Sequence, residues 1–236
     1  MIEILYYIVV GLIIMGTIYA VCVQAKVEKT FDAYKNVEGS KGITTGEACQ
    51  RILSAAGVTD VQILSTPGKL TDHYNPKNKT VNLSEGVYNS KSISALGVAA
   101  HEVGHAIQHA QGYVPLKIRN FLIGLSGFCS RLFFPMLIVG ILFTTLEMIV
   151  PGLIVLGLAI CFYGLTFIIA LVTYPVEKNA SKRALDMLVK ENILDETEIR
   201  GTQVTLIAAS RTYLASAMLS LLYFLRFVLA LFASKR

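Results

Sequence analysis

Four long apolar runs constrain this chain more than any other feature. Ile4–Ala25, Leu132–Val150, Leu153–Tyr174 and roughly Val204–Phe232 take up about 90 of the 236 residues. Each approaches or exceeds the ~20 residues a helix needs to span ~30 Å of hydrocarbon. A backbone in lipid must satisfy its own hydrogen bonds, so the runs are read as helices. Composition agrees, with 54% hydrophobic and only 16% charged residues, against about 25% charged in a soluble domain. Only Met1, Ile2 and Glu3 precede the first run, whereas Lys26 and Lys29 follow it. That flank pattern favours an uncleaved anchor with its N-terminus outside over a cleaved signal peptide.

The net charge of +5 reflects topology, and no nucleic-acid partner is expected. Segments 26–120 and 175–200 hold 16 of the 21 Lys and Arg residues, and the turn expected at Pro151-Gly152 holds none. A hairpin of spans returns the chain to its starting side, so both basic segments share one side, cytoplasmic by the positive-inside rule. If the last run crosses once, the tail Ser234-Lys235-Arg236 falls outside. The expectation is a multi-pass protein of the cell membrane with a water-facing domain on the cytoplasmic side. Cys22, Cys49, Cys129 and Cys161 form no Cys-x-x-Cys pair, which argues against a disulfide framework or a thiolate metal site.

Five segments follow from this pattern: an anchor over 1–25, a mixed helix-and-strand domain over 26–120, a membrane hairpin over 121–174, a polar helix within 175–203 and a final span over 204–236. Residues 116–130 read as an interfacial helix or the entry to the second span. Within 26–120, Thr44 and Glu47 make a capping box for a helix with Ala48, Ile52, Leu53 and Ala56 on one face. Gly57 stops it. Val58–Ser65 reads as a strand. Leu70–Tyr74 and Thr80–Ser84 flank Asn75-Pro76-Lys77-Asn78 and read as a hairpin. Ser92 caps a second helix from about Ile93 to Gln111.

That second helix carries the chemistry. His101 and His105 stand four apart, one helical turn on the same face, where two imidazoles can share one Zn²⁺. Glu102 adjoins the first of them and can act as a base on a water without itself ligating. With 4 His and 11 Glu in the chain, chance would supply this pattern about 0.003 times. A catalytic zinc site wants a third protein ligand. His109 lies too far from His101, ~12 Å along the axis, and Gln111 occupies the place of a third histidine six residues after the second. His73 in the hairpin is a strand residue, a transition-state donor or a ligand, the first two being favoured. Glu177, in the polar helix after the membrane hairpin, is the preferred third ligand. A solvated glutamate beside Lys178 and Lys182 is the alternative. His73, Tyr74, Tyr174 and Arg211 are all conceivable oxyanion donors, Arg211 because it sits inside an apolar run.

His-Glu-Val-Gly-His-Ala-Ile-Gln from His101, the later Glu-x-x-Ala-Ser from Glu177, and the upstream Asp72-His73-Tyr74 resemble the YugP-type neutral zinc metallopeptidases of bacterial membranes. The likeness extends over nearly the whole chain. It is more distantly similar to the membrane gluzincins that include HtpX and the CAAX prenyl proteases, which pair His-Glu-x-x-His with a later Glu-x-x-Ala-Asp. The resemblance implies an α+β zincin-like domain embedded in a mainly helical polytopic protein. It also implies one zinc per chain held by His101, His105 and Glu177, with Glu102 as base. Ser181 stands where the distant group has an aspartate that orients a ligand histidine, so Ser181 or Asn179 takes over that work. In a zincin core an edge strand binds extended substrate by β-augmentation, and either Leu70–Tyr74 or Thr80–Ser84 is the candidate strand. The expected activity is zinc-dependent hydrolysis of peptide bonds in membrane-associated or unfolded proteins. A non-catalytic zinc-binding scaffold is the first alternative and a metal transporter the second.

Overall fold

A computed structural model describes residues 2–233; the basic tail, Ser234 to Arg236, lies outside them. The described residues form α1 (Ile2–Tyr34), α2 (Thr45–Ala55), β1 (Gln62–Thr66), β2 (His73–Asn75), β3 (Thr80–Ser84), α3 (Ile93–Ala110), α4 (Val114–Thr145), α5 (Ile149–Lys190) and α6 (Glu196–Ala233). They group into two compact units. One takes the chain up to Cys22, Ile118–Tyr174 and the residues from Thr212 onward; the other takes Val23–Lys117 and Pro175–Arg211.

Helices α1, α4, α5 and α6 are all long and apolar enough to cross a membrane, and parts of all four make up the first unit. The turn between α4 and α5 falls at Leu146–Met148, not at the expected Pro151-Gly152. Glu147 adopts a left-handed conformation (φ 62°), and the Met148 amide closes back on the Phe143 carbonyl at 2.9 Å. Pro151 sits in the first turn of α5, where its missing N–H costs nothing. Gly152 instead packs the hairpin: a Cβ there would lie 2.5 Å from Thr144 Cγ2 and 3.0 Å from the Gly140 carbonyl. Residues 116–130 belong to the entry of the second span, the second of the two expected alternatives, because α4 runs through them as one helix. Likewise α5 continues through Pro175 as a helix, so one element carries both an apolar run and Glu177. Phe133, Tyr163 and Phe227 form a ring cluster with centroids 5.0–5.5 Å apart.

The second unit is built around α3. The expected capping box of α2 forms, with Thr44 Oγ1 accepting from the Glu47 amide and Glu47 Oε2 from the Thr44 amide. Gly57 (φ 70°) ends the helix, and Val58 donates its amide to the Leu53 carbonyl at 2.9 Å. Val58 is therefore spent on closing α2, which is why the strand begins only at Gln62. The hairpin forms over Asn75–Thr80, but its first arm is cut to three residues. Leu70 is left-handed (φ 56°), and the Asp72 carboxylate accepts the Ser84 amide and hydroxyl at 2.8 and 2.9 Å.

The sheet order is β1-β3-β2, with β1 parallel and β2 antiparallel to β3. Thr80–Ser84 is thus the central strand, with both edges paired and almost every residue buried. It cannot take a further strand; of the two expected candidates only β2 lies at an edge. Ser92 caps α3 through the Ala95 amide. Fourteen of the 18 residues of α3 are buried, as befits a helix enclosed on nearly all sides. The core around it includes Leu96, Val103, Val81, Leu83 and Leu188. Cys49 lies within this core, and burial pushes its thiol up to about 12, far from any thiolate chemistry.

Helix α3 meets the last third of α5 at very short range. A Cβ on Gly104 would come within 2.7 Å of the Ala180 carbonyl oxygen, so only glycine lets the two backbones approach. Gly104→Ala should force them apart, costing roughly 1–3 kcal/mol and lowering retained zinc; thermal unfolding and metal content of the detergent-purified protein would measure both.

Candidate metal centre

Helical spacing puts His101 and His105 on one face of α3, with ring centroids 4.8 Å apart. Residues Val176, Glu177, Ala180 and Ala184 line the buried face of α5, while Lys178 and Lys182 are exposed. The solvated alternative for Glu177 fails on this point: the residue is 2% exposed. Glu177 Oε2 lies 3.1 Å from His101 Nε2 and 3.4 Å from His105 Nε2. The three ligand atoms fall within 4.8 Å of one another. Tetrahedral ligands at zinc distances stand ~3.3 Å apart, so the group is already near the spacing one ion requires.

Both imidazoles turn their other nitrogen to a second partner, the usual support of a metal-binding histidine. His101 Nδ1 lies 3.1 Å from Ser181 Oγ. His105 Nδ1 lies 3.0 Å from Gln108 Oε1. Gln108 is fully buried and its amide nitrogen donates to the Val176 carbonyl and to Asn179 Oδ1, both at 2.9 Å. Those two bonds fix which way the amide points. Its oxygen can then only accept, so His105 Nδ1 carries the proton and Nε2 keeps its lone pair for a metal. Asn179 Oδ1 also accepts from Arg183 Nε at 2.7 Å, which holds the amide in place.

Burial works against a charged imidazole at His105, yet the hydrogen bond and charge of Glu177 outweigh it and raise the pKa above 6.5. At Glu177, which stands beyond the apolar run, burial alone would push the carboxyl up. Hydrogen bonds from His101 and His105 prevail and hold it well below the usual carboxylate range.

Glu102 is buried beside the trio and outside it, its Oε2 accepting the Tyr74 amide at 2.8 Å. The Tyr74 phenol is directed to His109 Nδ1 at 2.8 Å. His73 is exposed and its Nδ1 bonds the Thr71 carbonyl at 2.9 Å. Tyr174 is half-buried and Arg211 is exposed on α6. The geometry thus gathers His101, His105, Glu177, Ser181 and Asn179 with Glu102 alongside, whereas His73 and Arg211 are exposed.

A family model described as "putative neutral zinc metallopeptidase" matches residues 7–232. The chain belongs to that family. It is 41% identical over 206 residues to the "Putative membrane protease YugP" of Bacillus subtilis (strain 168), covering 87% of this chain and 88% of that protein. No solved structure matches. Four apolar helices and this relative make the family member a multi-pass membrane protein.

Sequence reasoning missed Gln108 and Arg183. The one available signal was Gln108 itself, a polar residue three places after His105 in an otherwise apolar stretch. Gln108→Leu should leave His105 free to change tautomer and weaken zinc binding about 10–100-fold. Gln108→Glu, which still accepts from His105 Nδ1 but loses the bonds to Val176 and Asn179, should restore only part of it; competition with a fluorescent chelator would measure both. Protons compete with zinc for neutral imidazole. Since the His105 pKa is raised, affinity should already be falling as pH drops towards 6.5, and a chelator titration across pH would reveal the slope.

Proposed function

We propose that this chain is a membrane-embedded zinc metalloendopeptidase whose α2–β–α3 region is a zincin-like domain of gluzincin type. One zinc ion per chain would be held by His101, His105 and Glu177. The observation that carries the reading is the convergence of two Nε2 atoms on a buried carboxylate from another helix, with a second carboxylate, Glu102, adjacent and left out of the set. Two imidazoles and one carboxylate leave a fourth position open, the arrangement of catalytic rather than structural zinc.

Bound zinc would supply Lewis acidity, making a water near it acidic at neutral pH. The remaining work belongs to the chain. Glu102 accepts the water's proton as the peptide carbonyl is attacked and later returns it to the leaving amine. The Tyr74 amide fixes the carboxylate that performs both transfers. Gln108 holds His105 in one tautomer through the cycle, and Ser181 orients the His101 ring. Asn179 and Arg183 hold Gln108.

The substrate reading is protein or peptide, membrane-associated or unfolded, supported by the apolar spans and by the likeness to a putative membrane protease. The charge distribution of segments 26–120 and 175–200 supports a cytoplasmic site. Strand β2 is the candidate edge for an extended substrate.

Full-length protein purified in detergent tests this directly. Glu102→Gln should keep its zinc and lose about 10²–10⁴-fold in hydrolysis of labelled casein. Glu177→Ala should fall well below one zinc per chain and lose activity with it. Full metal and full activity in Glu177→Ala would overturn the ligand set. A zinc-replete wild type that cleaves nothing would favour a scaffold.

A further inference from the structure

Helix α3 bears a second stripe beside the metal ligands. Glu102, Ala106, His109 and Ala110 recur at helical spacing on one side of it. Tyr74 spans this stripe: its amide donates to Glu102 Oε2 and its phenol oxygen lies 2.8 Å from His109 Nδ1, two turns further along. The two rings lie 5.9 Å apart, centroid to centroid.

Strand β2 has only three residues and pairs on one side alone, Tyr74 standing opposite Val81. The Tyr74 ring packs against the core on one side and borders a cavity of about 360 Å³ lined also by Val58, Val61, Ala106 and His109. Packing on one side alone leaves such a ring room to swing towards the cavity unless a directional contact holds it. The bond to His109 is that restraint. With the ring fixed, the amide of the same residue is fixed against Glu102; with it released, β2 and the amide can drift from the carboxylate.

We propose that Tyr74 and His109 form a positioning pair for Glu102. The proposal rests on the reading of Glu102 as the proton-transferring group. His109 then has a part that its spacing from His101 and His105 gave no hint of, since it acts through the phenol and not on the metal.

The test uses the full-length protein in detergent, with Tyr74→Phe, His109→Leu, His109→Asn and the double variant Tyr74→Phe/His109→Leu. On labelled casein, Tyr74→Phe and His109→Leu should each lower kcat roughly three- to tenfold, the worth of one hydrogen bond, with KM and bound zinc unchanged. The double variant should be no worse than either single one, as expected of residues acting through a single bond. His109→Asn, whose amide can meet the phenol, should stay within about twofold of wild type. Amide hydrogen exchange over 73–75 should quicken in the two disruptive single variants and not in His109→Asn, with α3 unchanged. Unchanged kcat, or additive losses in the double variant, would overturn the pair, as would exchange at wild-type rate. A zinc-replete but inactive wild type would count against the protease reading, while the exchange experiment still judges the pair alone.

Discussion

The close crossing of α3 and α5 is the constraint on which the site depends. Gly104 lets the Ala180 carbonyl approach to a distance a side chain would forbid. At that range Glu177 reaches both imidazoles, at 3.1 and 3.4 Å, from a position 2% exposed. A carboxylate so deeply buried is costly unless it is paired and hydrogen-bonded. The crossing therefore creates both the problem and its solution, a buried charge and the two groups that compensate it.

Around that crossing the inner face of α5 serves as a wall of the site. Successive turns supply the Val176 carbonyl, Glu177, Asn179, Ser181 and Arg183, each bonded towards α3 or towards a residue that is. The two histidines are supported differently. His101 meets a hydroxyl from the facing helix, whereas His105 meets a glutamine of its own helix that is anchored on α5 by two donated bonds. Only the second arrangement dictates a tautomer, because a hydroxyl can donate or accept and an amide with its nitrogen committed cannot. Arg183 also lies over the Tyr113 ring at 5.8 Å and bonds Gln111, tying the C-terminal end of α3 into the same network.

Local signals were read well where they act within a few residues. The Thr44 box, the Ser92 cap, the hairpin at Asn75–Asn78 and the four apolar helices all depend on neighbours in sequence. The errors came where one residue type serves two purposes. Val58 looks like the first residue of a strand, but the closing turn of α2 claimed its amide. Pro151-Gly152 looks like a turn, yet proline is tolerated in a first helical turn, and the glycine was needed for packing against Thr144. Thr80–Ser84 and Leu70–Tyr74 looked equally available as substrate edges, and only pairing with β1 made one of them central.

By itself the sequence determined the spans, the helix that bears His101, Glu102 and His105, and the acid most able to join them. Period, composition and spacing are properties of one segment at a time, and these features need nothing else. Tertiary structure decided the rest: that Glu177 faces inward while Lys178 and Lys182 do not, that Gln108 sets the His105 tautomer, and that the Tyr74 phenol turns to His109. Each of these depends on a contact between residues 35 to 76 positions apart. Which partners meet across such distances is set by how closely two helices can pack, and a single missing Cβ at Gly104 governs that.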